Sequence, residues 1–189
     1  MIGMGLMGEP ALIIADEPTT ALDVTIQQQV LQLLRSIRET DGVAILLISH
    51  DVAVVRQLCD RVLVMYAGRV VEDLPAADLV GGARHPYTRA LVAAVPDMDS
   101  PLDRPLAVIP GRPVEPWEVP VGCAYAARCP LATQVCLDED PALVTGPGGR
   151  RVACWHADAP SEPGVSDAGA RAVAPGADPE APLRPAVAS

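Results

Sequence analysis

Three features of the sequence point to an α/β fold, a parallel sheet flanked by helices. Leu12-Ile-Ile-Ala15 and Val43-Ala-Ile-Leu-Leu-Ile48 are continuous apolar runs of strand length, the pattern of strands covered on both faces. Between them, Val24, Gln27, Leu31, Leu34 and Ile37 recur at helical spacing, as a helix linking two parallel strands would. Finally, two adjacent acids, Asp16 and Glu17, stand where the first run ends, and Pro18 stops it. In open α/β sheets the crevice beyond the carboxyl ends of the strands is where ligands bind.

Residues 1–9 are Met- and Gly-rich and read as the end of a helix, with Gly8 as its C-cap. Strand 11–16 follows, then a helix over 24–39 for which Asp23 can serve as N-cap. Asp41-Gly42 is a turn, and 43–49 is the second buried strand. A short helix near 51–58 leads into Val62-Leu-Val-Met-Tyr66. Ala67-Gly68 then turns the chain into Arg69-Val-Val-Glu72, a hairpin. From about 75 to 156 the chain is Pro-rich with short helices, one of them at 86–95, where Pro86 suits a first helical turn and Tyr87 packs. The last stretch, 157–189, is Ala, Pro, Gly, Ser and acid without periodicity and is expected to be disordered. The domain expectation is therefore 1–80, 81–156 and a tail, 157–189.

Composition narrows the function classes. Of 189 residues 50% are hydrophobic but only 3% aromatic, with no Phe, so the core must be built from Val, Leu, Ile, Ala and Met. The longest apolar runs fall far short of the roughly 20 residues a membrane span requires, and the first residues carry no basic region of a signal peptide. A formal charge of −10 argues against nucleic acid as a partner, which needs clustered cations.

Two adjacent carboxylates at a strand end are costly unless something cationic is held nearby. Magnesium on a nucleotide is the natural candidate, because it takes hard oxygen ligands and usually only one or two protein carboxylates. Residues 12–17 thus read as the Walker B strand of a nucleotide hydrolase. Glu17 projects past Asp16 toward the terminal phosphate, where a carboxylate can orient and deprotonate water. Asp23, past a Thr-Thr-Ala-Leu turn, reads alone as a helix cap. His50 ends the strand that should neighbour 11–16, on the same edge as the acids, which suits a phosphate-sensing role.

The phosphate-gripping half of such a site is not in these residues. A P-loop needs Gly-x-x-x-x-Gly-Lys-[Ser/Thr], and all fourteen cationic residues here are Arg.

LIIADEP, TALD and ILLISHD, in that order over about forty residues, resemble the Walker B, D-loop and switch-histidine motifs of the ATP-binding-cassette (ABC) ATPases. The resemblance implies the C-terminal part of a P-loop NTPase sheet, followed by a small irregular Cys-containing domain. It implies that Asp16 coordinates Mg²⁺, that Glu17 is the catalytic carboxylate, that His50 contacts the γ-phosphate of ATP, and that Asp23 lies in a loop crossing a dimer interface. Residues 1–10 resemble the helix that enters Walker B with the signature motif missing, and the Q-loop is missing too. The expectation is a fragment, or a reading frame begun at an internal Met. DEPTTALDVTIQQQVLQLL and His85-Pro-Tyr-Thr-Arg-Ala-Leu91 resemble the oligopeptide, dipeptide and nickel importer ATPases in particular. His85 itself is assigned no catalytic role.

Cys59 reads as a buried small hydrophobe. Cys123, Cys129, Cys136 and Cys154 fall together as C-x5-C-x6-C-x17-C. Disulfides are out of place in a cytosolic ATPase, and the spacing lacks the tight C-x2-C pairs of structural zinc sites. Four thiolates on an irregular loop could hold a [4Fe–4S] cluster. The importer ATPases resemble this chain here too, in Gly122-Cys-Ala-Tyr-Ala-Ala-Arg-Cys-Pro130 and Val152-Ala-Cys-Trp155, and some are thought to hold such a cluster. Zinc and ordinary loop thiols stay open, with His156 as a substitute ligand.

The resemblance implies an ATP-hydrolysing importer subunit for peptides. It would lie on the cytoplasmic face of the membrane, beside transmembrane permease subunits, a second ATPase subunit and, indirectly, a substrate-binding protein. These residues alone are expected to turn over no ATP. The alternative is a non-catalytic remnant acting as a metal-binding or permease-docking module.

Overall fold

A computed structural model describes residues 10–95, 108–115, 117–118 and 120–159. The helix end expected at 1–9 and nearly all of the tail expected to be disordered lie outside the described residues.

The first strand, β1 (Leu12–Asp16), pairs in parallel with β2 (Ala44–Ile48), Leu12 opposite Ala44 and Asp16 opposite Ile48. Helix α1 (Val24–Asp41) joins them. Its start is set by Asp23, whose Oδ1 accepts the Ile26 N–H at 2.9 Å. Its end is set by Gly42 at φ 65°, a left-handed cap that favours a residue without Cβ. Leu31 and Leu34, buried on α1, pack with Val54 and Leu58 of α2 (Val52–Leu58) against Ile45 and Leu47 of β2. The two helices are stitched by Arg35 to the Gln57 carbonyl and Arg38 to the Leu58 carbonyl. Cys59, at the end of α2, is half-buried on the rim of this cluster.

The expectation of cover on both faces fails for the described residues. Leu12, Ile14, Leu46 and Ile48 are 45–63% exposed, because the contacts of both helices go to the opposite face of this two-stranded pair.

The hairpin forms as expected, with β3 (Arg61–Tyr66) antiparallel to β4 (Arg69–Pro75). Its two-residue turn has Ala67 at φ 47° and Gly68 at φ 77°, the left-handed pair that matches strand twist. The far edge of β4 accepts β6 (Arg151–Val152), which in turn pairs with β5 (Val144–Thr145). Residues on both sides of position 80 therefore share one sheet, in the order β3-β4-β6-β5. The main core lies against it: Val64, Tyr66, Val71 and Leu74 meet Leu79, Ala124 and Tyr125. The chain's three tyrosines converge there, Tyr66, Tyr87 and Tyr125 standing 4.7–5.3 Å apart between ring centroids. The core expected from Val, Leu, Ile, Ala and Met alone is thus centred on tyrosine rings instead, which supply the aromatic packing in a chain without Phe.

Helix α3 (Pro86–Ala93) is seated by buried polar groups. Glu72 of β4, 1% exposed, accepts the Arg84 N–H at 2.7 Å and the His85 N–H at 3.1 Å. His85 caps the helix, its Nδ1 accepting the Tyr87 N–H at 3.0 Å. Burial, with the Arg89 charge second, pushes its pKa down to about 4. The imidazole is held neutral as the cap of this helix. Asp73, next along β4, is buried between Arg61 and Arg151. No described helix is long and apolar enough to cross a membrane.

Candidate functional site

The parallel pairing of β1 and β2 brings the ends of both strands to one edge, where Asp16, Glu17 and His50 all lie and where Glu17 and His50 touch. Asp16 is the last residue of β1, exposed and opposite Ile48. Glu17 continues the ladder, its N–H donating to the Ile48 carbonyl at 2.9 Å. It does so at φ 46°, a left-handed conformation that costs energy in a residue with a Cβ and is common at functional turns. His50 lies two residues beyond β2, and its Nδ1 meets Glu17 Oε1 at 2.8 Å. Asp51, following it, caps α2 through the Ala53 and Val54 N–H groups, which anchors the loop that carries the imidazole.

The second Glu17 oxygen, Oε2, accepts the Thr20 hydroxyl at 2.6 Å. Sequence reasoning missed this contact. Thr20 follows Thr19 in a run that reads only as a turn, and its role depends on the Thr20 N–H to Glu17 carbonyl bond at 3.1 Å that folds it back. Asp23 is not brought to the cluster; it sits at the start of α1 as a cap.

The electrostatics follow from these contacts. The Thr20 hydroxyl first, then His50, holds the Glu17 carboxyl below its ordinary range. The hydrogen bond and charge of Glu17 raise the His50 pKa. The ionic form of the pair is lost as pH falls through the depressed Glu17 value and as it rises through the raised His50 value. With Nδ1–H committed to a carboxylate, Nε2 of the exposed ring is left to face outward, a donor when the ring is charged.

The four extension cysteines behave differently. Cys136 is buried; Cys123, Cys129 and Cys154 are half-buried and free. The Cys123 N–H donates to the Cys136 carbonyl at 2.8 Å, and the His156 N–H reaches the Cys154 sulfur at 3.3 Å. Burial pushes the Cys123 and Cys129 thiols up and the Cys154 thiol to about 11. Burial thus favours the protonated thiol at Cys123, Cys129 and Cys154, whereas thiolate is the metal-binding form. Among the described residues no three His, Cys, Asp or Glu side chains converge as a metal site. The four-cysteine set expected from spacing is thus not assembled as a coordination shell. His156 Nε2 is engaged with the Thr133 hydroxyl at 3.0 Å.

Comparison with known proteins bears on the whole arrangement. A family described as oligopeptide/dipeptide transporter, C-terminal region, matches residues 71–136. A probable peptide ABC transporter ATP-binding protein of Sinorhizobium fredii is 47% identical over 158 residues, 84% of this chain and 47% of the relative. The oligopeptide transport ATP-binding protein AppD of Bacillus subtilis is 46% identical over 155 residues, 82% of this chain and 47% of its own length. A probable D,D-dipeptide transport ATP-binding protein of Escherichia coli is 47% identical over 156 residues, again 82% and 47%. The chain spans about half the length of these curated relatives. By this similarity the chain belongs to the family of peptide ABC transporter ATP-binding proteins.

Proposed function

We propose that this chain supplies the water-activating part of an ATP-hydrolysing subunit that energises peptide import. The observation that carries the reading is the contact of Glu17 with His50 at the strand edge where Asp16 ends β1. Asp16 and Glu17 offer hard carboxylate oxygens at an exposed strand end, a donor set that fits Mg²⁺ bound with ATP phosphates. Asp16 would hold the ion, which supplies charge neutralisation on the phosphates when bound. Glu17, ionised and fixed at both oxygens, orients water and accepts its proton. His50 offers Nε2–H toward phosphate oxygen, its charge sustained by Glu17. Asp23, at a helix start on the exposed surface, belongs to the contact with a second ATPase subunit.

The setting that goes with this reading is the cytoplasmic face of the membrane. The partners are transmembrane permease subunits and a second ATPase subunit, with a substrate-binding protein acting indirectly. ATP turnover requires a phosphate-binding loop, since most phosphoryl-transfer catalysis is positioning and charge stabilisation. The 189 residues alone therefore hydrolyse no ATP. Supplying the lysine-bearing half, in the same polypeptide or in trans, is expected to give turnover that Glu17→Gln abolishes. Hydrolysis that persists in that variant would overturn the assignment.

A second reading gives the extension a [4Fe–4S] cluster held by Cys123, Cys129, Cys136 and Cys154, in a structural or regulatory role; what favours it is the four sulfurs on one irregular segment, which would have to draw together to bind it. The His156 N–H already lies on the Cys154 sulfur, and hydrogen bonds to ligand sulfur tune such clusters. Binding would have to release the thiol protons that burial retains. Anaerobic purification with iron and acid-labile sulfide analysis tests it. Each is expected at about four per chain and lost on Cys129→Ser; zinc, or no metal in folded protein, would remove the cluster from the account.

A further inference from the structure

The Glu17 carboxylate is held from two sides, and only one of the holders has a part in the reading above. His50 Nδ1 takes Oε1 at 2.8 Å. Thr20 Oγ1 takes Oε2 at 2.6 Å, a distance typical of a hydroxyl donating to a charged oxygen. We propose that Thr20 is a positioning residue for the reaction: its hydroxyl fixes the rotation of the Glu17 carboxylate so that one oxygen faces the His50 imidazole. The inference rests on the reading of Glu17 as the water-activating group and adds a third member to that pair.

The local backbone explains why Thr20 can do this. Glu17 sits in the left-handed region, at φ 46°, and the turn it opens is closed by the Thr20 N–H to Glu17 carbonyl bond at 3.1 Å. A second left-handed residue, Ala21 at φ 61°, follows at once. The chain thus curls so that the side chains of residues 17 and 20 meet. Pinning the Glu17 N–H to the Ile48 carbonyl at 2.9 Å fixes the other end. Backbone and side-chain bonds specify the same arrangement, which is how a strained residue persists.

The chemistry needs a donor here. A carboxylate free to rotate about its terminal torsion, which is broad and roughly two-fold, presents either oxygen to His50 and to water. A donor on one oxygen removes that freedom before substrate arrives, the kind of preorganisation that is valuable in catalysis. It also explains the residue type. A hydroxyl donates without adding charge, whereas Arg or Lys would draw the carboxylate away from His50, and Val would fill the turn but donate nothing. Thr20 is exposed, so changing it leaves the packed core alone.

The first test is solution NMR of the full chain at neutral pH, comparing wild type with Thr20→Val and Thr20→Ser. The readouts are the His50 Nδ1 and Glu17 carboxyl shifts, with core methyl signals as the control for folding. Thr20→Val is expected to move both signals toward their free-residue positions while Thr20→Ser keeps them in place. Unmoved signals in Thr20→Val, or equal displacement in the two variants, would overturn the proposal.

The second test is kinetic, in protein supplied with the phosphate-binding half. Thr20→Val is expected to lower kcat about tenfold at constant KM for MgATP, the scale of one lost positioning contact, and Thr20→Ser to restore it. If Glu17→Gln abolishes turnover while Thr20→Val leaves kcat intact, the role of Thr20 falls alone. If Glu17→Gln has no effect, the reading of the site falls with it.

Discussion

Removing the Glu72 carboxylate should unseat helix α3 and cost a large part of the chain's stability. Both oxygens are used, Oε1 by the Arg84 N–H at 2.7 Å and Oε2 by the His85 N–H at 3.1 Å. Glu72 and His85 are each 1% exposed, so water cannot readily take over as acceptor for the His85 amide. A hydrogen bond to a charged group contributes about 1.5–3 kcal/mol, and an orphaned buried donor costs about 1–3 kcal/mol. Two such bonds put Glu72→Ala at about 3–6 kcal/mol, against a total of about 5–15 kcal/mol for an ordinary domain. Urea unfolding of the full chain, followed by far-UV circular dichroism, reads the change directly. With a slope of about 2 kcal/mol per molar, the midpoint should fall by about 2 M. Glu72→Met separates hydrogen bonding from volume: it refills the space but accepts nothing, and should remain at least 2 kcal/mol below wild type. A Met variant within about 0.5 kcal/mol of wild type would refute the reasoning, because packing and not the carboxylate would then seat the helix.

Two further perturbations follow from the same region. Neutral His85 has a folded pKa of about 4 against an unfolded value of about 6.5. Its contribution is therefore complete above about pH 6.5 and is lost as pH falls toward 4, about 3 kcal/mol in all. In His85→Asn, which caps without titrating, the stability profile between those pH values should flatten, as unfolding at several pH values will show. At Gly122 an added Cβ would stand 2.4 Å from the Cys136 carbonyl oxygen and 2.5 Å from that of Leu137. Both obstacles are backbone, so Gly122→Ala should destabilise by about 1–3 kcal/mol. The Cys123 N–H to Cys136 bond should loosen with it, visible as faster amide exchange at Cys123; unchanged exchange and stability would count against the close approach.

Where periodicity and capping agree, the structure was legible in advance. Strand β1, helix α1 with Asp23 and Gly42 at its ends, strand β2 and the Ala67-Gly68 hairpin all follow from short-range signals. The Glu17–His50 meeting was legible for the same reason: parallel strands bring their C-terminal ends to one edge, so two strand-end residues become neighbours. Helix α3 was readable at its start, where His85-Pro86 marks the entrance. The invisible parts depend on distant residues. Two-residue strands such as β5 and β6 have no period to detect, and nothing near Glu72 or Asp73 announces that their partners are Arg84, His85 and Arg151. The apolar runs of β1 and β2 implied two covered faces. In the described residues only one is, since a run's hydrophobicity states what a strand needs and not which segment provides it.

The Asp73–Arg151 contact joins residues 78 positions apart, and that separation has a kinetic consequence. The elements from β1 through the β3–β4 hairpin are local and can form as soon as their own residues are free to move. Adding β6 to β4 instead closes a loop of that length, an entropic cost of about 4 kcal/mol by chain statistics. Only two residues of β6 pair with β4, so the strand cannot repay that cost through its ladder alone. The closure becomes favourable once Tyr125 and its neighbours have already shortened the effective loop by packing on the hairpin. Folding should therefore be ordered, with the tyrosine core condensing first and the strand edge sealed last. During that interval β4 presents an open backbone edge, the period in which a chaperone or another chain would find it.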